Sequence, residues 1–452
     1  MENLKKNLND SKYLKWVVLL LVGFVLFSNY YFYDAFSSLF SLLRSELGFT
    51  PTQYGLFNSA YSIPNTFLAM AVIGGVILDK FGVRPTGVMF ISFMTIGALM
   101  TAYGASDIYR AGGFGYDTFN SFLPKYSPEL KMMLLGRIFY GLGAETSIVV
   151  ISKVLVKWFK GKNLALAFGL KVGFGRLGTF LALRVQPTLI GSENGMNTAI
   201  WFAAMLVLIG LLVFLFYTFF DIRLDKQINQ KGEKPIKDKF QFSDITGLLT
   251  NRGYIYIALL CLTFYSAVFP FNQLAPDFLL NKFNVSLADS GKIASWMPAA
   301  TALMTPIIGF FIDRLGKGVT VMIYGALILL GVHLAFAFTM FSPYVLMILL
   351  GIAFSLVPAS MWPTMVSMVK DSQVGTAYGL MYSIQNLGLW GFPILAGVIL
   401  EATNPGNPEV LNYTYVILMF AALGLLGLFF ALMLKHSDKK YGLGVDRPLN
   451  KQ

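Results

Sequence analysis

Apolar runs of about 20 residues recur along the chain, each closed by a short polar or basic turn. After a basic tail the first covers 16–43, and others fall at 54–78, 86–104, 197–220, 254–276, 289–312, 319–340, 344–368, 374–400 and 413–435. Between 104 and 197 lie a Gly-, Tyr- and Ser-rich loop, 105–130, and a hairpin of two apolar runs around Lys157-Trp158-Phe159-Lys160-Gly161-Lys162-Asn163. A helix rises 1.5 Å per residue, so each run is long enough for a hydrocarbon core about 30 Å thick. Backbone groups in lipid must bond within their own segment. The pattern therefore predicts an all-α membrane protein of twelve transmembrane helices.

The two halves of the pattern match. Gly75-Val76-Ile77-Leu78-Asp79-Lys80-Phe81-Gly82-Val83-Arg84 follows the second run, and Gly309-Phe310-Phe311-Ile312-Asp313-Arg314-Leu315-Gly316-Lys317 follows the eighth, 234 positions later. Phe168-Gly169-Leu170 and Tyr378-Gly379-Leu380 match at an offset of 210, because the second half lacks the long loop. This predicts two pseudo-symmetric six-helix bundles, 1–220 and 253–436, with a polar, Lys-rich linker at 221–252 and a tail at 437–452. Such repeats build transporters whose site lies between the halves.

Composition agrees with the pattern: 56% of residues are hydrophobic and 13% charged, against about a quarter charged in soluble domains. The net charge of +12 is not a nucleic-acid footprint. Roughly 25 of the Lys and Arg residues fall on the tail, linker and even-to-odd loops, against about six on the other face, which predicts both termini in the cytoplasm. The single cysteine, Cys261, lies in an apolar run, so no disulfide contributes. His333 and His436, one in a span and one in the tail, make no metal site. Neither a metal cluster nor a nucleophile–histidine arrangement appears, so no cofactor and no enzymatic reaction is expected.

Two charges stand where lipid makes charge costly. Glu145 and Arg176 each lie about 15 residues from the middle of the hairpin turn, roughly 20 Å into the membrane and near its midplane. Two readings stand for them. They pair with each other across helices packed 8–10 Å apart, or they hold the two ends of a zwitterion. The offset of 210 carries Arg176 onto Asn386, which places both toward one cavity. Candidate lining residues are Tyr30, Tyr33, Tyr61, Phe271, Asn272, Trp296, Trp362, Tyr378 and Gln385; packing or the interfacial belt is the plain alternative for each aromatic, while Asn272 and Gln385 are buried amides that need partners. Asp79, Asp313, Arg84 and Arg314 are expected to make state-dependent contacts at the loop ends, and Arg137 to act in coupling or structure. Asp34 reads as a proton acceptor or as a solvated helix end. The glycines at 169, 173, 175 and 178 permit close helix approach.

The repeated Gly-x-x-x-Asp-[Lys/Arg] loop and Gly136-Arg137-Ile138-Phe139-Tyr140-Gly141-Leu142-Gly143 resemble motifs of the major facilitator superfamily. Within it the chain resembles the lysosomal dipeptide uniporter branch. The matching stretches are Asn29-Tyr30-Tyr31-Phe32-Tyr33-Asp34, Tyr61-Ser62-Ile63-Pro64-Asn65, Trp158 to Lys162, Ala267 to Phe271, Leu356 to Pro363, and Gly375 through Leu389. The resemblance implies a facilitator of dipeptides without obligatory ion coupling, in which Glu145 and Arg176 bind the amino and carboxyl ends. A dipeptide's charges lie about one backbone step of 3.3–3.6 Å further apart than those at the ends of one amino acid, and Arg grips a carboxylate in bidentate fashion. Lys171 stands where the animal branch tends to have a neutral amide, a departure that implies either a changed side-chain preference or added charge in the cavity. The tail shows no acidic dileucine sorting signal, which points to a bacterial inner membrane rather than a lysosomal one.

The expected partners are dipeptides and the bilayer, with the chain a monomer and an accessory subunit left open. The competing functions are a proton-coupled symporter using Glu145 or Asp34, an organic anion carrier using Arg176 and Lys171, and a non-transporting membrane sensor or scaffold.

Overall fold

The computed structural model describes residues 11, 13–159, 163–191, 195–229, 243–370, 373–406, 408–441 and 446. Among them the first half is built from α1 (Leu14–Ala35), α2 (Pro51–Ala60), α3 (Ile63–Leu68), α4 (Met70–Phe81), α5 (Val83–Ala105), α6 (Pro128–Phe159), α7 (Leu164–Ile190) and α8 (Gly195–Asn229). The second contains α9 (Arg252–Phe283), α10 (Leu287–Ala294), α11 (Trp296–Leu315), α12 (Gly318–Phe338), α13 (Pro343–Ser367), α14 (Val374–Thr403) and α15 (Thr414–Tyr441). No strand occurs among the described residues.

Eleven helical segments among the described residues are long and apolar enough to cross a membrane. The remaining predicted span, 54–78, is present in three pieces. It breaks after Ala60, resumes on the Ile63-Pro64 start of α3, and turns at Ala69, a left-handed residue at φ +49°. Asn65 holds this last break by accepting the Ala71 N–H at 2.8 Å. Ser59, Ser62 and Asn65 are buried polar residues in this stretch, which gives the broken segment hydrogen-bonding groups that an unbroken apolar helix lacks. The first predicted span, 16–43, is interrupted as well. α1 ends at Ala35, a 3-10 turn covers Phe36–Ser38, and a short helix follows at Phe40–Leu47. Ser295 separates α10 from α11 within the predicted span 289–312.

Both turns of the loop repeat end on glycine in a conformation closed to most side chains, Gly82 at φ +82° and Gly316 at φ +67°. This is the physical reason for a glycine at both places. The loop 105–130 holds two short helices, Asp107–Arg110 and Tyr116–Asn120, and Lys131 from α6 caps it by donating to the carbonyls of Phe119 and Phe122. α8 continues to Asn229, and a short helix at Ser243–Thr250 precedes α9. Residues 230–242 of the predicted linker and most of the tail beyond Tyr441 lie outside the described residues.

The described residues nearest the two chain ends lie at turns of one face. Lys15 donates to Asn163 in the hairpin turn at 3.2 Å, and Lys317, in the turn after α11, donates its N–H to the Asp446 carbonyl at 2.8 Å. This is called the linker face below, and its opposite the far face.

Between the halves, α2 packs on α14, α7 on α10 and α11, and the Phe36–Ser38 turn on α9. The α2–α14 approach is backbone on backbone. A Cβ on Gly55 would come within 2.2 Å of the Pro393 carbonyl oxygen, and one on Gly397 within 2.3 Å of that of Pro51. Small residues there bring the halves together where lipid offers no hydrophobic drive.

Candidate substrate site

A cavity of 610 Å³ lies between the halves. α1 contributes Asn29, Tyr30 and Tyr33; α4 contributes Ala71, Val72, Gly75, Val76 and Asp79; α6 contributes Glu145, Ile148, Val149 and Ser152. α7 adds Lys171 and Arg176, α9 adds Tyr265 and Phe269, and α14 lines it from Val374 to Leu389. The lining thus reaches the linker-face ends of α4 and α14, where the Asp79 side chain is 57% exposed.

Toward the far face the cavity is sealed. Tyr33 packs edge-on against Tyr61, with ring centres 4.8 Å apart, and against Phe269 at 6.5 Å. Behind them Asp34 is buried and accepts from Thr179 Oγ1 at 2.6 Å and from Asn272 Nδ2 at 3.1 Å, which ties α1 and α7 of one half to α9 of the other. The Tyr54 hydroxyl donates to the Gln273 carbonyl at 3.0 Å, Arg184 Nε to Ser295 Oγ at 3.0 Å, and the Thr52 N–H to Glu401 Oε2 at 3.1 Å. Apart from the Thr179–Asp34 bond, each of these bonds joins one half to the other.

Glu145 and Arg176 both face the cavity, and no ion pair joins them among the described residues. Glu145 Oε1 accepts from the Tyr61 hydroxyl at 2.5 Å. This leaves its second oxygen for a ligand, since an ionised carboxylate accepts at both oxygens. The Arg176 guanidinium sits among aromatic faces, 4.8 Å from the ring centre of Phe354 and 5.9 Å from those of Tyr30 and Phe269. Aromatic faces attract a cation without occupying its N–H groups. Lys171 Nζ donates to Ser152 Oγ at 2.6 Å. An acceptor-only anion, a planar cation with free donors and a second cation thus line one water-accessible space. The arrangement can hold a molecule carrying both signs of charge.

Of the sequence-predicted lining residues, Tyr30, Tyr33, Tyr61, Glu145, Lys171, Arg176, Tyr378 and Gln385 line this cavity. Five others do not. Asn272 belongs to the far-side seal. Phe271 points the other way on α9, into an aromatic core with His333, Phe278, Phe336 and Phe420. Trp362 stands one layer back, stacked on Tyr378 and Tyr382, with its Nε1 donating to the Tyr265 hydroxyl at 3.2 Å. Trp296 is 39% exposed at the surface. Asn386 is buried and donates to the Tyr382 carbonyl of its own helix at 3.1 Å, while its neighbour Gln385 turns to the cavity. The repeat offset of 210 is therefore one residue out of helical phase at this point.

Tyr382, Tyr265, Phe269 and Asn29 line the cavity without having been picked from the sequence. Helical spacing marks three of them. Tyr378, Tyr382, Gln385 and Leu389 follow one stripe at 4, 3 and 4 residues, and Tyr265 and Phe269 stand four apart.

The loop-end charges pair within the first half. Asp79 pairs with Lys153, and Arg84 with Asp225 at 2.8 Å and Asp221 at 3.5 Å, where Lys157 joins both acids. Arg314 lies over the ring of Phe310 at 4.2 Å, and the Asp313 side chain is outside the described residues. Arg137 is fully buried in an aromatic enclosure of Phe32, Tyr33, Phe36, Phe57 and Tyr140. Its sole described hydrogen bond, to Asn58 Oδ1, is long at 3.5 Å.

The profile of the Major Facilitator Superfamily matches residues 22–390 and 271–447. The chain belongs to that superfamily. As a superfamily member it is a multi-pass membrane transporter of small molecules and not an enzyme. It is 32% identical over 396 residues to the lysosomal dipeptide transporter MFSD1 of Mus musculus, covering 85% of this chain and 80% of that one. To the Bos taurus protein of the same name it is 30% identical over 435 residues, covering 93% and 86%. Among solved structures, the nucleoside transporter NupG superposes with a TM-score of 0.68 at 18% identity, over 92% of this chain and 99% of that one. A bacterial homologue of the human lysosomal transporter Spinster, in an inward-facing and occupied conformation, gives 0.68 at 15% identity, over 95% and 98%. These likenesses establish the superfamily fold.

Proposed function

We propose that this transporter carries dipeptides by alternating access, as a uniporter driven by the substrate gradient alone. One observation carries the reading. Glu145 and Arg176 face a common cavity unpaired, each held from behind by groups that leave its ligand-facing side free. The cavity volume of 610 Å³ falls in the usual range of small-molecule sites, about 300–1,000 Å³. An ammonium on Glu145 and a carboxylate on Arg176 satisfy both charges at membrane depth, where an unmatched charge is costly. The relatives named as dipeptide transporters support the same substrate class. The basic excess on the linker face supports both termini in the cytoplasm, and we assign the protein to a bacterial inner membrane. The cavity then opens inward.

Thermal unfolding of the purified protein with free dipeptides, single amino acids and end-blocked dipeptides tests this. Ligand binding to the folded state raises the unfolding midpoint by mass action. Free dipeptides are expected to stabilise and blocked ones not, with Glu145→Gln or Arg176→Ala removing the shift. Equal effects of free and blocked peptides would sink the zwitterion reading. In reconstituted vesicles, dipeptide accumulation is expected to ignore an imposed pH gradient. A response to it would instead indicate proton symport.

One observation favours a second reading. Lys171 and Arg176 both face the cavity against a single unpaired carboxylate, which suits an organic anion carrier. That carrier would bind dicarboxylates and reject neutral dipeptides.

A further inference from the structure

Four ionisable side chains other than tyrosine line the cavity: Asp79, Glu145, Lys171 and Arg176. Asp79 is already paired with Lys153. A dipeptide with an uncharged side chain brings one ammonium and one carboxylate, which engage Glu145 and Arg176. Lys171 is then left over. Its one described polar partner is the neutral Ser152 hydroxyl, and no carboxylate of the described residues lies within 4.0 Å of it. A half-buried cation within the membrane span without a counter-charge is unfavourable.

The position of this cation is informative. Ser152 follows Glu145 by seven residues on α6, so it lies two turns, roughly 10 Å, nearer the linker face. Lys171 precedes Arg176 by five residues on α7, roughly 7.5 Å in the same direction. The ammonium therefore sits below the two terminus-binding groups, on the open side of the cavity, where a peptide side chain has room to extend. An ammonium carries three donors. One is spent on Ser152, which fixes the direction of the other two.

We propose that Lys171, oriented by Ser152, is a side-chain subsite that selects dipeptides bearing an acidic side chain. This rests on the dipeptide reading above and names the substrate class within it. The side-chain carboxylate supplies the counter-charge that the protein does not. The bound peptide then carries two negative charges and one positive charge, matching two cations and one carboxylate in the wall.

The test compares Ala-Glu with Ala-Gln, which have nearly the same shape, in vesicles holding the full-length protein. The half-saturating concentration of Ala-Glu is expected to be about tenfold lower, the contribution of one charge-assisted hydrogen bond. The readout is the ratio of the two peptides within one preparation, so the amount of active protein cancels. Lys171→Gln is expected to bring the ratio close to one, and Lys171→Glu to shift preference to Ala-Lys over Ala-Gln. Should the Lys171 variants not fold, Ser152→Ala is expected to lower the ratio, since the ammonium loses its anchor. A wild-type ratio of one, or a ratio unchanged by these substitutions, overturns the subsite while leaving dipeptide transport standing. Carriage of glutarate with neither peptide carried overturns the dipeptide reading and the subsite together.

Discussion

The Tyr61 hydroxyl decides which way Glu145 presents its charge. It donates to one carboxylate oxygen at 2.5 Å, and its ring is held by Tyr33 and Tyr140. The remaining oxygen is thereby preset for a ligand, which reduces the ordering cost of binding. Tyr61→Phe keeps the ring packing and removes this one donor. A hydrogen bond to a charged group contributes about 1.5–3 kcal/mol, so the variant should lower the ligand-free midpoint and, with Glu145 no longer preset, should also need more peptide for the same thermal shift. An unchanged peptide requirement would make Tyr61 a packing residue only. At this scale the charged part of the site was legible in the sequence, because lipid makes a carboxylate and a guanidinium at midplane depth conspicuous. Neutral residues were harder to sort. Phe271 and Asn272 are adjacent on α9, yet one points into the aromatic core and the other closes the far-side seal. Composition cannot separate such neighbours, and only the phase set by Tyr265 and Phe269 on the same helix does.

Among the elements, the broken stretch α2–α3–α4 matters most to the site. It brings Tyr61 against α6 and lines the cavity with Ala71 to Asp79. The apolar pattern predicted one continuous span there, since hydropathy reports length and not continuity. The polar run Asn58-Ser59, Ser62 and Asn65-Thr66 was the available sign of a break. α6 meets the break at Gly141, where an added Cβ would lie 2.0 Å from the Tyr61 carbonyl oxygen. A neighbouring backbone cannot rotate away as a side chain can. Gly141→Ala should therefore destabilise by about 1–3 kcal/mol, the usual cost of overpacking, and weaken peptide binding by displacing Tyr61 from Glu145. Gly173→Ala on α7 is the matched comparison, because nothing lies within 4 Å of its Cβ position. Its unfolding midpoint should stay near wild type. Equal losses in both variants would show that helix flexibility, not the Tyr61 contact, is what glycine supplies. The α7 glycines divide the same way: a Cβ on Gly178 would lie 2.3 Å from the Phe27 carbonyl oxygen, while Gly169 and Gly173 are open. The glycines at 169, 173, 175 and 178 were expected to permit close helix approach, and two of them, Gly169 and Gly173, have no neighbour within 4 Å of their Cβ positions.

In the whole molecule, the described contacts between the halves lie mainly on the far side of the cavity. The six-plus-six repeat predicted a site between the halves but not which face would be closed, because both states share one sequence. The seal depends on a few polar bonds over close backbone packing. Among them, Asn272 reaches Asp34 and the Tyr54 hydroxyl reaches the Gln273 carbonyl. In the proposed alternating-access reading these bonds exist only while the far side is shut, so they contribute to that state and not to its opposite, the condition for shifting an equilibrium. Removing both, in Tyr54→Phe with Asn272→Ala, should cost this state about 1 kcal/mol per bond and raise the far-open population by roughly tenfold or more. Ser38 is a suitable reporter. It is buried in the turn that packs on α9, and the native Cys261 is itself buried. A Ser38→Cys thiol should react with an impermeant reagent from the far face in proportion to the far-open population. The double substitution is expected to speed that reaction by the same factor and leave the reaction with denatured protein unchanged. If the rate does not move, the polar bonds are incidental and backbone contacts such as Gly55 on Pro393 and Gly397 on Pro51 hold the gate. Bulkier residues at those two glycines would then be the substitutions that open it.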